Sequence, residues 1–279
     1  METKIPESTR LAFIGCGVMA ESMIAGLLRQ KIVAAEQIVA SHPRAERRDE
    51  LFAKHRIDVF EHNADAVRAL PENGVVLLCV KPQRLGGVLK ELAGIVKPAQ
   101  LIVSIIAGAR IEKISEALAN DLVVRAMPNT PSQIGAGMTA WTCSEAVDES
   151  HRHQVRTMLA ALGKELYVEN ENMIDMATSL SATGPTYIFM VMEAMTDAGV
   201  HLGFSRDISK ELVQQTMLGS VLFAIESHKH PAELRNMVTS PGGTSAEAIY
   251  QMEKGTLRTV LSKAIHAAYK RAVELGKKG

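Results

Sequence analysis

The chain has 279 residues, 47% hydrophobic and 22% charged, enough for one large domain or two of ordinary size with real cores. Its 31 basic and 31 acidic residues cancel, so bulk electrostatics argue against a nucleic-acid or membrane-surface partner. The three cysteines, Cys16, Cys79 and Cys143, are far apart and form no C-x-x-C, which argues against a disulfide framework or a cysteine zinc site and fits a reducing cytoplasm. Residues Met1 to Arg10 are polar, without the apolar core of a signal peptide, and runs such as Tyr187 to Met192 are too short to span a bilayer. A soluble cytoplasmic protein is expected.

In chain order, Leu11 to Ile14 reads as a buried strand that breaks into Gly15-Cys16-Gly17-Val18-Met19-Ala20 and continues as a helix to about Arg29. This Gly-x-Gly-x-x-Ala pattern is that of a dinucleotide turn in a doubly wound sheet. Gly15 permits the turn, Gly17 lets a pyrophosphate approach the backbone, and Ala20 allows close helix-to-strand packing. The phosphates then meet the free N–H groups and dipole of the helix N-terminus; an ordinary glycine turn is the alternative. The next strand, Ile38 to Ser41, is followed by His42-Pro43-Arg44 with no acid to hold the ribose hydroxyls of NAD. Arg44 and the Ser41 hydroxyl can take a 2'-phosphate, which favours NADP. A solvated turn opening the next helix is the competing possibility for Arg44.

The βα pattern repeats: Ile57 to Phe60, a helix from Asn63, and the strand Gly74 to Val80, apolar enough to be buried on both faces. Val80, Lys81 and Pro82 close that strand, and in open α/β sheets ligands sit beyond such carboxyl ends. Leu101 to Ser104 ends in Ile105-Ile106-Ala107-Gly108, small and irregular where a ligand can pass. Leu122 to Ala126 runs into Met127-Pro128-Asn129-Thr130-Pro131, a proline-bounded rigid loop that either positions something or is an architectural turn.

Past a strand at Lys164 to Val168 and the polar joint Glu169 to Asn172 the texture becomes helical, with candidates at Met173–Leu180, Thr186–Leu202, Ser205–Glu226, Pro231–Val238, Thr244–Met252 and Thr256–Leu275. The helix from Thr186 is apolar on more than one face and calls for a subunit interface. The pairs His151/His153 and His228/His230 lack a shared helix face and matching partners, so no metal site is expected. No nucleophile elbow or H-E-x-x-H is present. In Ser240-Pro241-Gly242-Gly243-Thr244-Ser245-Ala246-Glu247, Thr244 and Glu247 have capping-box spacing. Gly242 and Gly243 leave N–H groups accessible, which makes either an anion site ringed by hydroxyls or simply a well-capped helix.

Taken together, Phe13 to Ala20, Val80-Lys81-Pro82, Arg125 to Pro131, Gly184-Pro185-Thr186-Tyr187 and His230 to Thr244 make the chain resemble the pyrroline-5-carboxylate reductase family. The resemblance implies an α/β fold with an N-terminal Rossmann-type, mostly parallel sheet (1–171) and a C-terminal all-helical dimerisation and substrate-binding domain (172–279). It implies a homodimer, often built into a larger oligomer, and NADP bound by Ile14, Gly15, Cys16, Gly17, Val18, Met19, Ser41, Asn63, Val80, Lys81, Pro82, Ile105, Ile106 and Ala107. The substrate carboxylate is expected at Ser240 and the N–H groups of Gly243 and Thr244, with the Ser245 hydroxyl on the ring nitrogen. The family commonly has Thr at 245, and Ser181-Ala182-Thr183-Gly184 departs from a more usual Ser-Gly-x-Gly. The implied reaction is reduction of 1-pyrroline-5-carboxylate to L-proline, the last step of proline synthesis. A protonated cyclic imine accepts hydride without a strong enzymatic acid, so the site needs mainly to orient ring and nicotinamide. Two alternatives compete. A hydroxyacid dehydrogenase would need a catalytic lysine that is missing near Gly184-Pro185, and a silent NADP-binding dimer would not need the hydroxyls of Ser240, Thr244 and Ser245.

Overall fold

The computed structural model describes residues 5–278. Strands and helices alternate through β1 (Leu11–Ile14), α1 (Val18–Arg29), β2 (Ile38–Ser41), α2 (Ala45–His55), β3 (Asp58–Phe60), α3 (Asn63–Arg68), β4 (Val75–Leu78), α4 (Leu85–Leu92), β5 (Leu101–Ser104), α5 (Ile111–Leu118) and β6 (Val123–Met127). Then follow β7 (Gly137–Cys143), α6 (Glu149–Ala160) and β8 (Gly163–Tyr167). The sheet runs β3-β2-β1-β4-β5-β6-β7-β8. All neighbours are parallel except β6 and β7.

The residues of β1, β2, β4 and β5 are all buried, because alternate side chains feed two cores, one on each sheet face. Leu11, Phe13, Val75, Leu77, Leu101 and Val103 pack with Met23, Ile24 and Leu27 of α1 and Val155, Met158 and Leu159 of α6. Ala12, Ile14, Val76, Leu78 and Ile102 pack with Val67 of α3, Leu85, Val88, Leu89 and Leu92 of α4 and Ile114 of α5. Truncating Phe13 to Ala would cost about 3–5 kcal/mol at such a site.

Two elements have no counterpart in the sequence reading. β7 is held by long-range pairing with both β6 and β8, and its Gly, Thr and Cys residues hide a strand whose only large buried aromatic is Trp141. Trp141 meets Tyr167 edge to face at 4.8 Å and donates to the Glu165 carboxylate. α6 is mostly charged and polar, burying only Val155, Met158 and Leu159, and is started by Asp148, whose carboxylate accepts the His151 N–H at 2.9 Å. β4 is also shorter than Gly74 to Val80 and ends at Leu78.

The helical region comprises α7 (Asn172–Ala177), α8 (Gly184–His201), α9 (Arg206–Ser227), α10 (Pro231–Met237), α11 (Thr244–Lys254) and α12 (Leu257–Lys278). The helix expected at Met173–Leu180 gives way after Ala177 to a π turn, Thr178–Ala182. Thr183 donates to the Thr178 carbonyl from both its N–H and its hydroxyl, each at 2.9 Å. Contacts divide the chain into two compact units, one reaching Thr183 and including residues from Ala268 on, the other Gly184–Ala267. Compared with the sequence-based joint at 171/172, α7 and the π turn group with the sheet, because Glu171 and Asp175 are tied to arginines there. Within the second unit α8 and α9 pair closely: a Cβ on Gly199 would stand 2.7 Å from Ser209 Oγ, and Asp197 meets Arg206 at 2.9 Å.

Candidate active site

The turn after β1 is shaped by Gly15. Its φ is +81°, and a Cβ there would lie 2.3 Å from Val80 Cγ1 and 3.2 Å from Val80 Cα. Only glycine therefore permits both the left-handed backbone and the close approach of the β1 and β4 loops. Gly17 caps α1 with no side-chain bond, and a Cβ on it would meet nothing within 4 Å. Open backbone and unfilled helix donors are what a pyrophosphate requires. Val18, 65% exposed, is an apolar side chain left uncovered at the same mouth. These residues fit a dinucleotide.

Ser41 is not presented to a ligand. It is 0% exposed, its hydroxyl donates to Asn63 Oδ1 at 2.8 Å, and it accepts the Gly15 N–H at 3.2 Å. Asn63 in turn donates to Glu91 at 2.7 Å. The Ser41 hydroxyl thus braces the glycine turn from behind, which corrects the expectation that it takes a 2'-phosphate. Beyond β2, Arg47 is held by Glu21 and Glu50, and Arg48 by Glu61 and the carbonyls of His42 and Pro43. Arg44 is exposed and, among the described residues, has no ion-pair partner, so its charge is available to an anion. Burial and the neighbouring arginines, Arg44 first, push the His42 imidazole below its ordinary value, leaving it neutral beside them.

Glu21 sits one turn inside α1, where an uncompensated anion would weaken phosphate binding. Burial alone would raise its carboxyl, but hydrogen bonds from Lys54, Arg47 and His55 outweigh that and bring it down to about 2. Burial pushes the Cys16 thiol up to about 12 and the Cys79 thiol well above its ordinary value, so neither is a nucleophile at neutral pH.

Lys81 and Pro82 begin a short 3-10 turn beyond β4. Beyond β5, Ile105 donates its N–H to the Leu78 carbonyl at 3.1 Å, and Ile106 turns its side chain into the core beside Ala109. Val80, Lys81, Pro82, Ile105, Ile106 and Ala107 therefore stand with the Gly15 turn along the carboxyl ends of β1, β4 and β5, where α/β sheets bind ligands. Beyond β6, Asn129 accepts the Met138 N–H at 2.9 Å and reaches the Ser181 carbonyl and hydroxyl at 3.4 Å, tying the proline-bounded loop to the π turn. Beneath it lies a feature missed from sequence: Arg125 meets Asp175 at 2.5 Å and Glu171 at 2.9 Å, and Arg110 meets the same carboxylates at 3.1 and 3.7 Å. A single arginine inside an otherwise apolar strand was the available signal.

In the second unit, Ser240 to Ser245 form one compact turn into α11. The Gly243 N–H donates to the Ser240 carbonyl at 3.0 Å, across a left-handed Gly242 at φ +71°. The capping box expected for Thr244 and Glu247 does not form. Gly243 is the cap residue, no side chain caps α11, and the Glu247 carboxylate accepts from Gln251 at 3.1 Å instead. The helix starts at Thr244 as expected, but Thr244 lies inside it rather than capping it, because glycine at 243 brings the backbone in without a side-chain bond. The first intrahelical bond is from Ala246 to Gly243, 3.1 Å, so the N–H groups of Thr244 and Ser245 precede it and remain available to an anion. Ser240, Thr244 and Ser245 place three hydroxyls about this turn.

Three of these four histidines stand at helix ends, and His153 lies within α6. His151 bonds Asp148 at 2.8 Å, His228 ends α9 in a left-handed conformation, and His230 Nδ1 accepts the Ala232 N–H at the start of α10. Among the described residues no group of three or more His, Cys, Asp or Glu side chains is placed to hold a metal.

Residues 171–275 match the family model described as pyrroline-5-carboxylate reductase dimerisation. Residues 10–108 match that described as NADP oxidoreductase coenzyme F420-dependent. A pyrroline-5-carboxylate reductase of Pseudomonas aeruginosa is 42% identical over 95% of this chain and 96% of its own. The chain belongs to the pyrroline-5-carboxylate reductase family. A Synechocystis member is 38% identical over 97% of this chain and all of its own length. The structure of the Plasmodium falciparum family member, solved with NADP bound, superposes with a TM-score of 0.88 at 28% identity, covering 97% of this chain and 99% of that one. As in the family, the sheet unit is that of an NAD(P)-dependent oxidoreductase, and the Gly15 turn lies within the matched NADP oxidoreductase segment.

Proposed function

We propose that this protein reduces 1-pyrroline-5-carboxylate to L-proline with NADPH, as a cytoplasmic homodimer. The observation that carries this reading is the family match along both units, with an open glycine turn in one and an uncapped helix start bearing three hydroxyls in the other. NADPH, when bound, supplies the hydride. Ile14, Gly15, Cys16, Gly17, Val18 and Met19 hold its pyrophosphate by backbone and helix N-terminus. Arg44 pairs with the 2'-phosphate, and Val80, Lys81, Pro82, Ile105, Ile106 and Ala107 line the remainder, with Ser41 and Asn63 supporting the turn from inside.

The substrate carboxylate is held by Ser240 and by the free N–H groups of Thr244 and Ser245, with Gly242 and Gly243 giving the turn its shape; the Gly243 N–H, expected from the sequence to bind the carboxylate, is spent on the Ser240 carbonyl. The Ser245 hydroxyl accepts a hydrogen bond from the protonated ring nitrogen, so the C=N carbon is electrophilic when hydride adds and the C=N electron pair settles on nitrogen. Ser240, Thr244 and Ser245 thus orient the ring, and no strong acid is required. Residues 172–279 form the dimerisation and substrate-binding segment.

A second copy of the chain covers the helices of the second unit. α8 has no buried residue, exposing Ile188, Phe189, Met190 and Met195, and α9 exposes Leu212, Leu218, Val221, Leu222 and Phe223, far more apolar surface than a monomer leaves in water. Dimers assemble further into rings. The cytoplasmic assignment rests on free cysteines; no helix among the described residues is long and apolar enough to cross a membrane. The decisive assay is NADPH oxidation with 1-pyrroline-5-carboxylate, NADP+ reduction with a 2-hydroxyacid, and each cofactor with neither. Turnover with the imine alone is expected, and turnover with the hydroxyacid alone overturns the assignment.

A further inference from the structure

We propose that Gly276, near the end of α12, is a positioning residue for the cofactor, because it lets the helix lie directly against the turn that follows β5. In that turn Gly108 has φ +74° and is buried. A Cβ on Gly108 would stand 2.7 Å from the Gly276 nitrogen, 2.8 Å from the Leu275 carbonyl carbon and 2.9 Å from Leu275 Cβ. Helix backbone cannot step aside, so the position admits only glycine on steric grounds as well as conformational ones. From the other side, a Cβ on Gly276 would meet the Gly108 carbonyl oxygen at 3.2 Å and Arg110 Nε at 3.6 Å. The two segments touch backbone to backbone. Ala272, four residues earlier on the same helix face, is buried as well.

The turn has little room to yield. Ile105 is bonded to Leu78 and Ala109 to Ile106, both at 3.1 Å, while Ile106 and Ala109 belong to the core. Two residues beyond Gly108, Arg110 is fixed by Asn172 at 2.9 Å and Asp175 at 3.1 Å. A side chain at 276 must therefore push either α12 or the Ile105–Ala107 backbone. Since Ile105, Ile106 and Ala107 line the cofactor in the function proposed above, on which this inference rests, the last turns of α12 act as the backing of the cofactor strip. They touch neither cofactor nor substrate themselves.

The test compares Gly276→Leu, Gly276→Ala and Lys277→Leu in the full-length enzyme. Gly276→Leu should raise KM for NADPH about tenfold or more while kcat at saturating NADPH and KM for the imine stay within about twofold; Gly276→Ala should raise KM for NADPH about threefold, and Lys277→Leu should change nothing. The rise in melting temperature on adding NADPH should shrink in step. A Gly276→Leu enzyme with a lowered melting temperature but parental KM for NADPH would have a merely structural glycine, and the proposal falls. If that variant does not fold, Gly276→Ala decides, and a parental KM overturns it. Ala107→Asp separates the two levels. If it weakens NADPH binding while the Gly276 variants do not, positioning alone is wrong. If it leaves NADPH binding unchanged, the cofactor strip is misplaced and this inference falls with it.

Discussion

Arg125 and Asp175 are joined by a buried ion pair: Arg125 Nη2 lies 2.5 Å from Asp175 Oδ1, with the side chains 0% and 2% exposed. The pair fastens α7 to the middle of β6, below the loop that carries Asn129. Arg125→Met leaves Asp175 facing only Arg110, and breaking such a pair from one side costs about 3–5 kcal/mol. The urea midpoint of the variant should drop sharply, and an unchanged midpoint would show that Arg110 alone satisfies Asp175.

Glu21 makes acid stability partly a matter of one cluster. A carboxyl held below its ordinary 4.5, here at about 2, contributes stability that is complete above the ordinary value and is lost as pH falls through the folded-state value. Glu21→Gln should therefore be less stable than the parent at neutral pH, and the gap should close between pH 4.5 and pH 2. Paired denaturation curves across that range test it, and a gap still open at the acid end would contradict the cluster's role.

Arg44 is the arginine of its cluster left without an ion pair among the described residues. Losing a charge-assisted contact to the 2'-phosphate should raise KM for NADPH about tenfold in Arg44→Ala and leave KM for NADH within about twofold. The parent should favour NADPH in kcat/KM. Equal effects of Arg44→Ala on both cofactors would remove it from the 2'-phosphate.

Ser245 lies inside the first turn of α11 and Ser240 ahead of it. Ser245→Ala should lower kcat with the imine while NADPH binding is kept, and Ser240→Ala should act mainly on KM for the imine. One hydrogen bond to a charged partner is worth about 1.5–3 kcal/mol, roughly a tenfold to hundredfold fall in kcat/KM. Residual turnover should survive in both, because the protonated imine is intrinsically reactive. A Ser245→Ala enzyme indistinguishable from the parent at every pH would place the ring nitrogen elsewhere.

Phe189 and Met190 are 57% and 65% exposed in the single chain. Light scattering at low micromolar concentration should find no monomer of the parent. The double change Phe189→Asp, Met190→Asp should split the dimer and abolish turnover; a stable, active monomer of the parent would refute the proposed assembly.

Local pattern was enough to locate most of the sheet unit and the helices beyond it. β1, β2 and β5 are short, mainly apolar runs whose ends are marked by Gly, Pro or polar residues, and α9, expected from Ser205, begins with Ser205 as its cap. The Gly15 turn was legible because left-handed backbone and bare helix donors leave a residue signature. What only the tertiary structure decided depends on partners far apart in sequence. β7 exists through pairing with β6 and β8, the Ser41 hydroxyl is spent on Gly15 and Asn63, Gly243 rather than Thr244 caps α11, and Arg125 is tolerated inside the fold by carboxylates on α7 and just before it. Nor does the spacing of glycines reveal that Gly108 and Gly276 meet. Periodicity records which face of an element is apolar; the direction in which a buried hydroxyl, charge or bare backbone finds its partner is settled only when the elements pack.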